Sequence, residues 1–251
     1  MSFYELEKEQ RNILVEKINS GILDDIRSGG KNNLLLYSSD ADTYIRKSAY
    51  IAIGRIYNAN KKLQPNIINA LDELLIDDDP KVRQTIINAA GEIGKSDFEV
   101  VRYFFDKGLF DEHHSVRNAV IGSMKKMGEK NPAPVIEWSR GYLHHPDKEI
   151  RREICHGIEL RGRTHPEDIL PLLKELQYDT TKRVRWTLVH VIGQISYKKG
   201  CLEKVMNDII AWENKDLISD AIAEIIDVHD RYRNFSFYTQ DEVKRIIDTY
   251  N

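Results

Sequence analysis

Residues 77–94, DDDPKVRQTIINAAGEIG, decide the fold. After Arg83, small or apolar residues fall three, six, seven and ten positions on, at Ile86, Ala89, Ala90 and Ile93. That is the spacing of a single buried helical face. An acidic turn precedes the Val82-Arg83 pair and a glycine, Gly94, follows the last apolar position. The pair recurs outward along the chain. Arg46, Arg83, Arg117, Arg151 and Arg185 each follow a Val or Ile, with gaps of 37, 34, 34 and 34 residues. A period of this length means that one supersecondary unit is repeated. A two-helix unit cannot bury its apolar face alone, so the units must stack.

Aligned on these arginines, the helices of residues 44–57, 81–94, 115–128, 149–162 and 183–196 share the same apolar face, and Gly94, Gly128 and Gly162 stand 34 apart as expected helix stops. The intervening helices are expected at 65–76, 98–110, 132–143, 166–177 and 202–212. Pro65, Pro132 and Pro166 lie near their starts, where a missing N–H costs least, and Pro171, further in, is expected to kink its helix. A sixth unit keeps Ile218, Ala221, Ile222, Ile225 and Ile226 but has Ser219 in place of the arginine. The ends depart from the pattern, as terminal repeats do. Residues 3–19 read as a capping helix, Asn32–Ser39 as the short first helix of unit one, and Thr239-x-x-Glu242 as the capping box of a closing helix. The expected fold is an all-α, right-handed α-α superhelix of about six hairpins, treated as one domain over 1–251. Residues 1–29 form its N-terminal cap, 30–230 its repeats and 231–251 its closing helix.

Composition narrows the partners. The net charge of −3 provides no global drive toward polyanions. Residues 113–199, however, hold 16 Lys/Arg against 10 Asp/Glu, a net of +6, and seven of the eight histidines. Cys155 and Cys201 have no further cysteines to form a framework, consistent with a reducing compartment. No stretch approaches the roughly 18 apolar residues of a membrane span. The N-terminus lacks a basic lead and an apolar core, so a cytoplasmic location without membrane contact is expected.

The arginines themselves are candidates for a ladder between repeats, because charge repeated at every boundary is what a structural role produces. Binding residues are sought one, five and eight or nine positions further on, along one exposed helical stripe. Here the residues change from mixed polar in the early units to cationic and aromatic in units four and five. The candidate binding set is Arg152, His156, Trp186 and His190, with Asn118, Lys125, Lys126 and Arg183. An Arg, two His and a Trp around one groove suit an anion, a nucleobase or an acidic peptide. A metal site from His156, His190 and Cys155 lacks a recognised ligand spacing, so no metal or other cofactor is expected. The adjacent pairs His113–His114 and His144–His145 read as turn residues.

The acidic turn before Val-Arg and the small-residue helix ending in Gly resemble the HEAT repeat family over about residues 30–230, with residues 77–94 the closest match. In that family the turn Asp and the Arg hydrogen-bond between successive repeats. The resemblance puts Asp42, Asp79 and Asp147 in that role, with His113 and Thr181 interrupting the ladder. Residues 110–212 also resemble the HEAT-type bacterial DNA-alkylation-repair glycosylases. In that alignment His113 and Arg117 replace the Trp and Asp that face the damaged nucleotide, Arg152 matches the phosphate-binding Arg, and His190 replaces a second Trp one turn from Trp186. Replacing the carboxylate by a cation removes the group that would stabilise an oxocarbenium charge, unless Glu153 or Glu159 substitutes. The chain has no nucleotide-binding glycine loop, nucleophile elbow or HExxH, and no His-Glu dipeptide of the HEAT-like metal hydroxylases. These observations imply a non-catalytic scaffold for a protein partner. Nucleic-acid binding through residues 113–199 is the alternative and a base-excision activity the third reading.

Overall fold

The computed structural model describes residues 2–250, which are helical apart from turns and short connections. The chain falls into two compact units, Met1–Asn131 and Pro132–Asn251.

The first unit opens with α1 (Lys8–Ser28), longer than the expected cap because its apolar face continues through Ile18, Ile22 and Ile26, all buried. Gly29, at φ 77°, ends it in the left-handed conformation that glycine adopts without strain. Asp25 on its last turn accepts the amides of Asn33 and Leu34 at 2.7 and 2.9 Å, capping α2 (Asn32–Ser38). Three hairpins follow from there: α2 with α3 (Thr43–Ala59), α4 (Gln64–Leu74) with α5 (Pro80–Gly94), and α6 (Phe98–Gly108) with α7 (His114–Lys130). The second helices pack in order, α3 on α5 and α5 on α7. Ile53, Ile86, Ile87, Phe98, Phe104, Phe105 and Val120 fill the core between them and their covering helices.

The second unit repeats the scheme with α8 (Pro132–Tyr142) and α9 (Lys148–Gly157), a short α10 (Glu159–Gly162), α11 (Pro166–Glu175) with α12 (Lys182–Gln194), and α13 (Leu202–Ile209) with α14 (Lys215–Arg231). α12 lies between α9 and α14. Trp138, Ile154, Leu172, Leu188, Ile192, Trp212 and Val228 are buried here. Pro171 sits inside α11. In the arginine-less sixth unit Ile218, Ala221 and Ile225 are buried, while Ile222 and Ile226 are half-buried. The closing helix α15 (Gln240–Asp248) starts on the expected capping box, with Thr239 accepting the Glu242 amide and Glu242 the Thr239 amide.

Three local expectations are corrected. The second helix of unit four is broken at Ile158, after Gly157, a residue that stabilises a helix poorly. Of the three glycines expected to stop helices, Gly94 and Gly162 are the last residues of α5 and α10, whereas Gly128 lies inside α7; none is left-handed, since among the described residues only Gly29 and Gly200 have positive φ. Gly94 and Gly162 also permit close packing: a Cβ at Gly162 would stand 2.3 Å from Ile169 Cδ1 and 2.7 Å from Ile195 Cγ2. The ladder also uses other carboxylates than the resemblance implied. Asp42, Asp79 and Asp147 cap their own helices, accepting the amides of Tyr44, Lys81 and Glu149. Arg83 reaches forward to Asp111, Nε to Oδ2 at 2.8 Å and Nη2 to Oδ1 at 3.0 Å, and Arg151 makes the same fork with Asp179 at 2.6 and 3.3 Å.

Candidate functional site

In unit 2, α9 and α12 lie side by side, so residues about 34 apart become neighbours. Glu149 takes Arg152 Nε on one oxygen at 2.9 Å and Arg183 Nη1 on the other at 2.8 Å. Arg152 Nη2 also approaches Glu153 Oε1 at 3.4 Å. The two guanidiniums therefore share a carboxylate between helices. Trp186 stands beside them, 71% exposed, with its ring lying parallel to that of His190 at 5.9 Å. A cavity of about 390 Å³ is bounded by Arg152, Lys182, Arg183, Trp186 and Thr187. The Thr187 hydroxyl donates to the Arg183 carbonyl at 2.9 Å, so the polar character of the cavity comes from its cations.

His190 and His156 meet edge to face at 6.3 Å. Each has its own carboxylate: His156 Nε2 lies 3.1 Å from Glu159 Oε2 and His190 Nδ1 lies 3.5 Å from Glu224 Oε1. The structure thus brings together Arg152, His156, Trp186, His190 and Arg183, the unit-2 members of the expected set. Ligand atoms of His156, Glu159 and His190 lie within 4.8 Å of one another. The carboxylate beside the two histidines is that of Glu159, and Cys155 is not part of this group; its thiol is buried and pushed up by desolvation. The Glu159 carboxylate is already engaged: Arg163 Nη2 donates to its Oε1 at 2.5 Å and to Gln194 Oε1 at 2.9 Å. Arg161 turns from the stripe to Asp168, at 2.7 Å. The break after Gly157 allows both changes, because Glu159 and Arg161 no longer follow the register of α9.

The remaining expected residues lie in unit 1. Asn118 is exposed on α7, and Lys125 and Lys126 are half-buried near its end. Lys126 lies over the Tyr50 ring at 5.1 Å and 3.8 Å from Glu92. It lines a cavity of about 960 Å³ together with Lys47, Arg55 and Lys95, which were not among the expected binding residues. Lys47 and Arg55, one and nine positions after Arg46, lie on the same exposed stripe as the expected residues, whereas Lys95, twelve after Arg83, has no such register. His113 and Arg117, aligned with the base-facing residues of the glycosylases, serve the backbone instead. His113 accepts the Ser115 amide as the cap of α7, and Arg117 donates to the Asp111 and Glu112 carbonyls at 2.6 and 2.9 Å. Glu153 and Glu159 are both buried.

Comparison with known proteins agrees with this architecture. The chain is similar to AlkD2 from Streptococcus mutans, with 15% identity over 81% of this chain and 97% of that one and a TM-score of 0.54. The fold is that of a HEAT-like repeat protein. The family described as sister chromatid cohesion protein PDS5 matches residues 32–131, within the first unit. YibA from Escherichia coli is similar at 18% identity over 99% of this chain and 93% of its own, with a TM-score of 0.45. No curated protein matches the chain. No helix among the described residues is long and apolar enough to cross a membrane.

Proposed function

We propose that this HEAT-like repeat protein is a non-catalytic scaffold, and that its unit-2 surface around Trp186 takes a segment of a protein partner. One observation carries the reading: a Trp that is 71% exposed, braced by a parallel histidine ring, beside cations that already share a carboxylate. An exposed, rigid aromatic in a recess is the kind of anchor that dominates protein interfaces. A phosphate backbone approaching Arg152 or Arg183 would meet Glu149 as well, which reduces the gain from neutralising those guanidiniums. A peptide supplies both signs of charge together with an apolar side chain for the indole. The expected segment carries an aromatic or aliphatic residue for the indole, with an acidic neighbour facing Lys182 and a basic one facing Glu149.

The test is selection of a displayed random peptide library on the whole chain, with Trp186→Ala as counter-selection. Enriched peptides should bind the wild type and lose roughly tenfold or more in affinity to Trp186→Ala, as expected of an anchoring aromatic. Failure to enrich any sequence over the variant would refute the reading. A labelled DNA strand that binds with a steep salt slope, reduced by Arg152→Glu, would reassign this surface to nucleic acid.

A further inference from the structure

The large cavity in unit 1 differs from the Trp186 recess in its charge balance. Its lining holds four cations, Lys47, Arg55, Lys95 and Lys126, against one carboxylate, Glu92, so the difference is 4 − 1 = +3. Glu92 pairs with Lys95 and lies 3.8 Å from Lys126. Lys47 and Arg55 are exposed and have no hydrogen-bond or ion-pair partner among the described residues. The groove therefore has two positive groups with no protein counter-charge, beside two that share one.

The helices hold this arrangement in place. Arg55, Glu92 and Lys126 each stand nine residues after the repeat arginine of α3, α5 and α7, so the packing of these helices sets them in a row. A Cβ at Gly54 would lie 2.6 Å from the Glu92 Cβ, so the glycine lets α5 close on α3 and bring Glu92 into the groove. Tyr50 and Ile51, both half-buried, supply a ring and an aliphatic surface between the cations, and the Lys126 ammonium rests on the Tyr50 ring. Burial pulls Lys126 below the ordinary lysine range against the attraction of Glu92, with Lys95 and Lys47 adding to the shift. A bound anion would relieve that crowding.

We propose that this groove binds a ligand carrying three or more phosphate groups, with Lys95 and Lys126 facing one phosphate and Lys47 and Arg55 the others. The spacing argues for more than one group. Lys47 and Arg55 are eight residues apart on one helix, about 12 Å along its axis, wider than a single phosphate can bridge. A strand advancing about 3.4 Å per phosphate covers that distance in roughly four nucleotides. Tyr50 and Ile51 would lie beneath a base or sugar of the same ligand. The shared chemistry is the phosphate array, and its source is either a nucleic-acid strand or a free nucleoside polyphosphate.

The test titrates the full chain with a labelled single strand of about 12 nucleotides, adenosine triphosphate and inorganic tripolyphosphate across about 50–200 mM salt. Binding of the strand alone identifies nucleic acid as the source, and binding of the nucleotide or tripolyphosphate identifies the free polyphosphate; either supports the site. The Lys47→Ala/Arg55→Ala double variant should bind the active probe about tenfold or more weakly, and for the strand the log–log salt slope should shrink by about 1.4, or 0.7 per lost contact. Its melting temperature should not change, because neither side chain has a partner to lose. Glu92→Gln should tighten binding. An Arg183→Ala/Trp186→Ala variant should leave this affinity unchanged, separating the groove from the peptide-binding surface of unit 2. No binding of any probe at the lowest salt, equal binding by the Lys47/Arg55 variant, or loss of binding in the Arg183/Trp186 variant would overturn the proposal.

Discussion

Replacing Arg83 by Ala tests whether the repeat arginines hold neighbouring hairpins together. Arg83 donates to the Asp77 and Asp78 carbonyls at 2.8 and 3.1 Å and forks onto Asp111 at 2.8 and 3.0 Å, with side-chain exposures of 10% for Arg83 and 12% for Asp111. The alanine variant leaves two carbonyls without this donor and a largely buried carboxylate with the His113 amide but no counter-charge from Arg83. Truncating one partner of such a pair costs about 3–5 kcal/mol when fully buried, and the residual exposure places the expectation near the lower figure, about 3 kcal/mol. Arg46 is the internal control. It reaches the Asp40 and Ala41 carbonyls at 2.5 and 3.1 Å and the Thr43 hydroxyl at 3.3 Å, with no forward carboxylate among the described residues. Arg46→Ala should therefore cost about 1 kcal/mol. In urea denaturation followed by far-ultraviolet circular dichroism, the 2 kcal/mol difference should lower the midpoint of Arg83→Ala by about 1 M relative to Arg46→Ala, for slopes of about 2 kcal/mol per M. Pairing Arg83→Ala with Asp111→Asn in a double-mutant cycle should give a coupling of about 1–2 kcal/mol. If both arginine variants lose the same stability, or the cycle shows no coupling, the forward fork does not stabilise the stack.

Three further outcomes follow from the same packing. Gly162→Ala should destabilise by about 1–3 kcal/mol in urea, because the new methyl meets Ile169 and Ile195 well inside contact distance; an unchanged midpoint would refute the close packing. His229 is fully buried on α14, with Nδ1 2.8 Å from the Ile225 carbonyl, and burial holds its pKa below 6.5 although that bond favours the proton. Because the unfolded chain then binds the proton more readily, this contribution to stability is complete above about pH 6.5 and is lost as pH falls below it. The melting temperature should rise between about pH 5 and 7 in the wild type, and His229→Gln should flatten that rise. In acid, burial raises the Asp111 and Asp179 carboxyls, but the bonds from Arg83 and Arg151 and from nearby amides outweigh it and hold both below 3.8; their stabilisation is present above that value and disappears as pH falls through the lowered one, so Asp111→Asn should reduce the steepness of acid unfolding.

The helical hairpins were legible because their cause is local. An apolar face repeating every helical turn, and arginines 34 apart, demand a stack whatever the neighbouring side chains do. The starts of the first helices were equally plain where Pro132 and Pro166 sit at N1 positions, and Thr239 with Glu242 announced the closing helix. Helix ends were less so: Gly94 and Gly162 end their helices, but Gly128, with the same period, lies inside α7; what packs against the first two, Met127 in one case and Ile169 with Ile195 in the other, shows only in the tertiary structure. Gly157, outside that period, is where the helix breaks.

The amino-acid pattern determined that this chain stacks helices, which face of each is buried, and which stripe of each second helix is left on the surface. The tertiary structure decided which charges on that stripe are available. Arg152 meets Glu149 three residues before it on α9, but only the packing of α12 on α9 brings Arg183, 34 residues on, to the same carboxylate. Lys47 and Arg55, which look ordinary, remain unpaired at a groove shared with α5 and α7. Pairing depends on distances of a few ångströms between residues some 34 positions apart. Hydrophobic periodicity specifies the rotation of each helix toward the core, but the identity of each charge's neighbour emerges only when the helices are packed.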